Sequence, residues 1–508
     1  MSPKLGRALL LLVLVATPVV QWVVYRNFPQ VEVPSQVTIV ELVPEEVPVE
    51  GWQESADETA EAITDLAASG RMAEAVELAN YALALPRHPD TNDPYNWGHA
   101  TLALDRMLAA FEANELWDDA IRFCTRPNAV NIGNAYVESR RLRLLAAAFA
   151  AKRQLTFRSR ILKKQLLEVR EELDLREDID KHHNEICSPQ DVVDVYPEEN
   201  EAAREHIANS VKLIDAYVLA MRGETDSALK AVEETDLCPL QYSRLLAASG
   251  KTQIAGSLLR QFRDDSPHRA AIQTALVEIL SAAGDVGEVE GTLAALNTML
   301  ASFPADSPLR KRIQPIVASS SLQEEWHGIP VSMTEQAEVL TELQTEFPLR
   351  FDAPNFELTG VDGEKRSLRE RRGQPTLVVF YLGKGCLHCS RQLKHLAPAA
   401  SDFEDLGVSI VGISTDSEVA LTKSFKAYNG RIPYPLLADV QKEAFKSYRL
   451  FQDGDEEAMH GTFLVDADGS ILWRDTGEEP FMDMDFLLRE SKRLLDSRNH
   501  HTPYVAAN

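Results

Sequence analysis

Cysteine is scarce in this sequence, with 5 residues among 508. So low a count excludes a fold held together by many disulfides, as in small secreted domains. Cys124, Cys187 and Cys238 are isolated and lie among helical patterns, so we predict that they are small buried apolar side chains. Cys386 and Cys389 are separated by two residues, and this pair is the one concentrated chemical signal that we find in the sequence.

Basic residues are also few relative to acidic ones. The sequence has 52 lysines and arginines against 78 aspartates and glutamates, a formal net charge of -26. Such a chain repels nucleic acid and anionic membrane surfaces, and no basic stripe offsets the repulsion, so we exclude nucleic acid as a partner. A glycine-rich nucleotide-binding loop and a hydrolase triad are lacking as well. We predict neither a cofactor nor a bound metal ion.

A positively charged start and a long apolar run mark the N-terminus. Lys4 and Arg7 precede an almost unbroken apolar run from Ala8 to Val24. This pattern is typical of an export signal, and the run is close to the lower length limit of a membrane-spanning helix. We predict that residues 1–26 are a signal peptide or a membrane anchor and the only part that contacts a membrane. The remainder is then exported, anchored or secreted on the periplasmic side.

Changes in composition predict a modular chain of fold class α + α/β. Residues 27–54 are rich in Val, Pro and Glu, which favours an extended linker. Residues 55–302 are rich in Ala and Leu with an apolar period of about 3.6 residues, typical of amphipathic helices. Residues 303–345 have the composition of a second linker, and residues 346–495 alternate β-rich runs with helices. Residues 496–508 form a tail.

A short pattern recurs within the helical region. It places glycine five residues before an alanine in GRMAEA, GETDSA and GKTQIA, which begin at Gly70, Gly223 and Gly250. ELWDDA, which begins at Glu115, and GDVGEV, which begins at Gly284, are looser versions. A glycine there can end one helix in a left-handed cap, and the small residue lets the next helix pack closely. The pattern, and RMAEAVELANYALALP above all, resembles tetratricopeptide repeats. That resemblance implies a concave surface for a protein partner.

In residues 346–495 the apolar runs have the length and composition of strands. We predict strands at TLVVFY (376–381) and VSIVGIS (408–414), joined by a helix that begins at the cysteines. This βαβ unit predicts parallel strands. SEVALTKSFKAYN reads as a helix, YPLLAD as the end of a short strand, and GTFLVDADGSILWRD as a hairpin that turns at Asp468-Gly469.

The two cysteines therefore lie where a buried strand leads into a helix. Free N–H groups and the helix dipole at a helix N-terminus favour negative charge, which lowers the pKa of a thiol. Two intervening residues let both sulfurs meet within the first helical turn. Cys386 and Cys389 can thus alternate between dithiol and disulfide.

Five motifs, taken in order, resemble the redoxins of the alkyl hydroperoxide reductase/thiol-specific antioxidant branch of the thioredoxin superfamily. These motifs are APNFELTGVDGEKRSL, FYLGKGCLHCSRQL, VSIVGISTDSEVALTKSFKAY, IPYPLLADVQKEAFKSY and HGTFLVDADGSI. The resemblance covers about residues 349–495 and implies a thioredoxin fold.

The resemblance leaves the direction of attack open. In a peroxiredoxin alignment Cys389 attacks the peroxide and Cys386 replaces a threonine, whereas in a thioredoxin alignment Cys386 attacks and Cys389 resolves. His460 stands where peroxiredoxins commonly have an arginine, and it can act as a proton donor or acceptor. His388 directly precedes Cys389, where a histidine implies a stabilised thiolate and a more oxidising pair.

The predicted function is that of an exported thiol oxidoreductase, peroxiredoxin-like, which reduces peroxides through the Cys386–Cys389 cycle and is re-reduced by an external dithiol. The alternative is a thioredoxin-type oxidoreductase acting on protein disulfides. A third possibility is a redoxin in which Cys386, Cys389 and His460 hold copper(I), since thiolates and imidazole suit that ion.

Overall fold

The structure is a computed structural model. It describes residues 49–89, 97–126, 129–130, 133–186, 196–233, 235–329, 340, 343–344, 351–383, 386–427, 432–451 and 457–497. The predicted signal or anchor, most of the first linker, Cys187 and nearly all of the tail lie outside these residues. Within the described part of the chain, no helix is both long and apolar enough to cross a membrane.

The first half of the described chain is entirely helical. Its helices are α1 (Val49–Ala68), α2 (Met72–Ala84), α3 (His99–Asn114), α4 (Trp117–Cys124), α5 (Ala135–Ala151), α6 (Leu155–Ile186), α7 (Pro197–Met221), α8 (Thr225–Val232), α9 (Pro239–Ala248), α10 (Thr252–Asp264), α11 (Arg269–Ala282), α12 (Val286–Met299) and α13 (Pro308–Val317). Most neighbours in sequence pack against each other, so the region is a succession of helical hairpins.

The recurring sequence pattern falls at turns between helices, as predicted. The first residue of each copy has a positive φ: Gly70 81°, Glu115 51°, Gly223 84°, Gly250 81° and Gly284 75°. The alanines that close four of the copies, Ala75, Ala120, Ala228 and Ala255, are fully buried. Left-handed caps and close helix packing therefore do occur where the pattern places them.

The boundaries of the helical region differ from the predicted range. The first helix begins at Val49, inside the segment predicted as an extended linker. At the other end, α13 and a 3₁₀ turn at Gln323–Glu325 lie inside the segment predicted as a second linker. Leu309, Ile313 and Val317 of α13 are buried in one apolar cluster with residues of α11 and α12, so helix periodicity continues past residue 302.

The C-terminal domain is built on one mixed eight-stranded sheet. Its strands are β1 (Phe351–Asp352), β2 (Glu357–Gly360), β3 (Lys365–Ser367), β4 (Thr376–Tyr381), β5 (Ser409–Ser414), β6 (Leu436–Ala438), β7 (His460–Val465) and β8 (Ser470–Gly477), in the order β1-β8-β7-β4-β5-β6-β2-β3. Its helices are α14 (Leu387–Asp405), α15 (Glu418–Ala427), α16 (Glu443–Ser447) and α17 (Met484–Ser497). The fold class is thus a helical region followed by a thioredoxin-type α/β domain.

The elements predicted around the cysteines are confirmed. Strand β4 has the predicted bounds, pairs in parallel with β5, and is joined to it by α14. β7 and β8 form the predicted antiparallel hairpin, and Gly469 in its turn has φ 91°. Sequence reasoning missed the short edge strands β1 to β3, the short helix α16 and the last helix, α17.

Strand β4 lies at the centre of the domain and separates two apolar cores. Leu377 and Val379 belong to the core shared with α14 and α17, which also contains Cys389. Val378 and Phe380 point to the opposite core, because side chains alternate along a strand. Buried on both faces, β4 holds its C-terminal end in a fixed position, and that end leads to the cysteines.

Candidate active site

The cysteine pair lies at the junction of β4 and α14. The chain turns at Gly383, whose φ is 84°, and a Cβ atom there would lie 2.6 Å from the carboxyl carbon of Asp416. Cys386 is the N-cap residue of α14, and its Sγ accepts a hydrogen bond from the Cys389 N–H at 3.0 Å. An N-terminal amide of the helix therefore points at a sulfur, which stabilises negative charge on it.

Cys386 and Cys389 form a disulfide, with their Cα atoms 5.4 Å apart. The two sulfurs have different surroundings. Cys389 is 1% exposed and its Sγ accepts a hydrogen bond from the Leu382 N–H at 3.3 Å. Cys386 is half-buried and is followed by Leu387, an exposed apolar side chain. A large partner can therefore reach Cys386 more readily than Cys389.

His460, the first residue of β7, faces both sulfurs. Its Nε2 lies 3.1 Å from Cys389 Sγ and 3.5 Å from Cys386 Sγ. Its Nδ1 lies 2.7 Å from the carbonyl oxygen of Glu478. A carbonyl only accepts hydrogen bonds, so Nδ1 carries the proton and Nε2 presents a lone pair to the sulfurs.

Burial lowers the pKa of His460 below its ordinary value, while the Glu478 carbonyl and the Glu479 carboxylate oppose that shift. The ring is therefore neutral at pH 7 in the oxidised state. A neutral imidazole with its lone pair on the dithiol is ready to accept a proton from a thiol when the disulfide is reduced.

His388 is placed differently from the other predicted site residues. It is half exposed, and its Nδ1 is hydrogen-bonded to the carboxylate of Glu479, not to a sulfur. Glu479 follows β8 and is 91 residues away in sequence. His388 therefore links the first turn of α14 to the chain that follows β8.

Gln392 is a site residue that sequence reasoning missed. It is buried one turn after Cys389, and its Nε2 lies 3.2 Å from the carbonyl oxygen of Phe481 and 3.3 Å from Thr462 Oγ1. A polar side chain on the core-facing side of a helix was the available sequence signal. The hydrogen-bond partners of Gln392 gave no sequence signal, because they lie 70 or more residues away in the chain.

The isolated cysteines Cys124 and Cys238 differ chemically from the active-site pair. Cys124 is buried and Cys238 is partly buried. Burial raises the pKa of each thiol to about 12, so both are protonated and unreactive at pH 7. The predicted buried apolar side chain is confirmed for Cys124, whereas Cys238 is only partly buried and packs against the same core.

The comparisons with known proteins agree with the geometry of the dithiol. Residues 350–474 match the model of the AhpC/TSA family. A Mycobacterium tuberculosis protein that carries the name peroxiredoxin is 32% identical over 129 residues, which cover 24% of this chain and 79% of that protein. This chain belongs to the AhpC/TSA family. The match lies within its C-terminal part, which we call the AhpC/TSA domain.

Other relatives of the AhpC/TSA domain carry two kinds of name. A peroxiredoxin of Thermoplasma acidophilum is 28% identical over 125 residues, 24% of this chain and 62% of that protein. The thiol-disulfide oxidoreductase ResA of Bacillus thuringiensis is 25% identical over 129 residues, 25% of this chain and 69% of that protein. Among solved structures, peroxidoxin BcpB of M. tuberculosis has a TM-score of 0.25 and 23% identity, covering 30% of this chain and 98% of its own. The family match and the names of the curated relatives show that the AhpC/TSA domain is part of a thiol oxidoreductase.

The AhpC/TSA domain also brings together three groups that a soft metal ion prefers. One ligand atom from each of Cys386, Cys389 and His460 lies within 4.8 Å of the others. Two thiolates and an imidazole fit copper(I) once the disulfide is reduced, because both ligand types are available only when deprotonated.

Proposed function

We propose that this protein is a dithiol oxidoreductase in which Cys386 attacks a disulfide of another protein. The observation that carries this proposal is the unequal burial of the pair. Cys386 is half-buried at the surface end of α14, whereas Cys389 is 1% exposed and packed in the core. Because a protein substrate must bring its own sulfur into line with the attacking sulfur, the outer cysteine is the one it can reach.

The reaction runs in two exchange steps. The Cys386 thiolate attacks one sulfur of the substrate disulfide, the substrate S–S bond breaks, and the other substrate sulfur leaves and takes a proton. The Cys389 thiolate then attacks the Cys386 sulfur of the mixed disulfide, which releases the second substrate thiol and closes Cys386–Cys389. Two electrons have passed to the substrate, and an external dithiol returns them to the protein.

His460 serves as the acid and base of both steps. Its Nε2 lies 3.1 Å and 3.5 Å from the two sulfurs, within reach of either thiol proton. It takes the proton of the attacking thiol and returns it to the departing sulfur. The charged imidazole that forms between these events is held by the Glu478 carbonyl on Nδ1.

Peroxide reduction is the second candidate, and it is the function ranked first from the sequence. The peroxiredoxin names of several relatives favour it. Here a thiolate attacks the peroxide oxygen, an alcohol or water leaves, and the second cysteine displaces water from the resulting sulfenic acid to close the disulfide. A small peroxide can reach a buried sulfur that a protein cannot, so Cys389 is the attacking cysteine in this alternative.

The N-terminal apolar run supports a location outside the cytoplasm for this chemistry. Export places the dithiol in a compartment where protein disulfides persist and need rearrangement or reduction. Cell fractionation, with labelling of the dithiol by a thiol reagent that does not cross membranes, tests this location.

The deciding experiment is a single-turnover assay on the pre-reduced protein. Reduced protein is mixed with a protein disulfide or with hydrogen peroxide, and free thiols are counted over time in the unmodified chain and in Cys386→Ser and Cys389→Ser. We expect fast exchange with the protein disulfide that Cys386→Ser abolishes. Cys389→Ser should stop at a trapped mixed disulfide on Cys386.

Two other outcomes decide against the proposal. Fast peroxide consumption that survives Cys386→Ser but not Cys389→Ser establishes peroxide reduction with Cys389 attacking. Copper retained through purification, and lost in His460→Asn and in both serine variants, establishes the copper(I) alternative. Cys124→Ser is the matched control, because it removes a buried thiol outside the site and should leave every result unchanged.

A further inference from the structure

A short loop that begins at Gly477, the last residue of β8, contacts three residues of the active site. We call residues 477–481 the 477–481 loop. The Glu478 carbonyl holds His460 Nδ1, the Glu479 carboxylate holds His388, and the Phe481 carbonyl holds the Gln392 amide. One segment thus orients the base beside the dithiol and two residues of α14 on either side of Cys389.

The 477–481 loop is anchored at its far end by an aromatic cluster. The Phe481 ring packs edge-on against Trp473 with centroids 5.1 Å apart, and both pack against Phe486 of α17. The Trp473 side chain is fully buried, and its Nε1–H donates to the carbonyl oxygen of Arg87 at 2.9 Å. Arg87 belongs to the helical region, just after α2.

Two charged residues of α17 join the AhpC/TSA domain to the same segment of the helical region. Arg493 donates to the carbonyl oxygens of Leu83 and Leu85 at 2.6 Å and 2.7 Å, where the last carbonyls of α2 lack partners within the helix. Glu490 pairs with Arg493 and accepts the Arg87 N–H at 2.9 Å.

The Glu490–Arg493 ion pair is buried. Arg493 is 3% and Glu490 2% exposed. Burial alone raises the pKa of Glu490, but Arg493 and Arg87 outweigh it and lower the pKa below its ordinary value. Removing one member leaves the other buried without its nearest counter-charge, which disfavours the docked arrangement.

We propose that the helical region positions the base of the dithiol site: docking of residues 83–87 on Trp473, Glu490 and Arg493 fixes the 477–481 loop, and the loop fixes His460. Trp473, Glu490 and Arg493 are positioning residues in this arrangement and do not touch the reacting sulfurs. The proposal rests on the dithiol chemistry proposed above.

The direction of the effect follows from the proton position on His460. When reduced thiols give a proton to Nε2, the resulting imidazolium donates from Nδ1 to the Glu478 carbonyl, and that hydrogen bond stabilises the thiolate–imidazolium pair. If the 477–481 loop is displaced, the Glu478 carbonyl no longer accepts this hydrogen bond. Less thiolate then forms at pH 7, and the pH midpoint of thiol reactivity rises.

The test measures alkylation of the reduced dithiol by iodoacetamide as a function of pH, which needs no knowledge of the physiological substrate. Trp473→Phe keeps an aromatic ring and removes the donor to Arg87; Arg493→Met removes the donors to α2. We expect each variant to slow alkylation at pH 7 by roughly two- to tenfold, the usual worth of one hydrogen bond, with the midpoint moved to higher pH.

Arg141→Met is the matched control. Arg141 is also 3% exposed, pairs with a glutamate three residues earlier, Glu138, and donates to a backbone carbonyl, that of Cys124, at 2.6 Å. It lies within the helical region, so its loss should lower stability and leave the pH midpoint unchanged. An equal midpoint shift in Arg141→Met overturns the proposal, as does an unshifted midpoint in folded Trp473→Phe and Arg493→Met.

A second measurement uses the unmodified chain and does not depend on how variants fold. Coupling is reciprocal, so docking that favours the thiolate must itself respond to the redox state of the dithiol. Hydrogen exchange of residues 83–88 should differ between the oxidised and reduced protein by a factor of about 2 to 10. Equal protection in both states overturns the proposal. If the unmodified thiols alkylate no faster than free cysteine, the dithiol chemistry fails instead.

Discussion

Replacing His460 by asparagine isolates the contribution of its Nε2 atom. The asparagine amide can still donate to the Glu478 carbonyl, as Nδ1 does at 2.7 Å, but it offers no basic nitrogen to sulfurs that lie 3.1 Å and 3.5 Å from Nε2. The reduced dithiol then loses its proton acceptor. We expect less thiolate at neutral pH.

The size of this effect follows from the kind of hydrogen bond that is lost. A hydrogen bond to a charged group contributes about 1.5 to 3 kcal/mol. At about 1.4 kcal/mol per pH unit, the midpoint of thiol ionisation rises by about 1 to 2 units. Alkylation at a pH below both midpoints therefore slows by roughly 10- to 150-fold, because the rate follows the thiolate fraction.

The assay is the rate of iodoacetamide alkylation of the reduced protein across the pH range, with the modified cysteine identified by mass spectrometry. His268→Asn is the control, since His268 is also a buried histidine whose pKa is lowered by burial, but it lies in the helical region. If His460→Asn and His268→Asn both keep the midpoint of the unmodified chain, the role of His460 as the base is refuted.

Two further predictions concern charge. Glu479→Gln removes the partner of His388 and a carboxylate that raises the pKa of His460. The Glu479–His388 pair is exposed and contributes less than about 1 kcal/mol, so alkylation at pH 7 should slow by less than fivefold. A larger loss contradicts the minor role assigned to Glu479. Burial lowers the pKa of His99 to about 3 and of His206 to about 4, so the folded protein binds fewer protons than the unfolded chain below about pH 6.5. Stability should therefore fall on acidification, by about 2 kcal/mol for each histidine at pH 5, and urea unfolding that is equally stable at pH 7 and pH 5 contradicts this.

Local signals in the sequence were sufficient to predict much of the fold. A glycine five residues before an alanine predicted a left-handed helix end followed by a close-packed helix, and the positive φ of Gly70, Gly223 and Gly250 confirms it. The run 376–381 is almost continuously apolar, which predicted a buried strand, and all six positions of β4 are buried. By contrast, β1 is two residues long and β3 is three, which is too short for any periodicity to develop.

The site was predictable only where its residues are close in sequence. The spacing of Cys386 and Cys389 specifies their pairing, because three residues span one helical turn. The roles of Glu478 and Phe481 were not predictable, since both act through backbone carbonyls, which every residue has. The long separation between β8 and α14 hides their contact, and only the pairing of β7 with β4 brings them to one end of the sheet.

In the proposed reaction a single base is sufficient for both cysteines, because the two thiols are not ionised together. Two thiolates on residues whose Cα atoms lie 5.4 Å apart repel each other, so at most one sulfur is ionised at a time, and the two thiol protons are shared among the two sulfurs and His460 Nε2. His460 Nε2 lies within 3.5 Å of both sulfurs and can take the proton from whichever one attacks. Once Cys386 is bound in a mixed disulfide it carries no charge, the repulsion ends, and His460 can accept the proton of Cys389. In the proposed reaction the order of attack is therefore set by the unequal access to the two sulfurs, and His460 serves each step in turn.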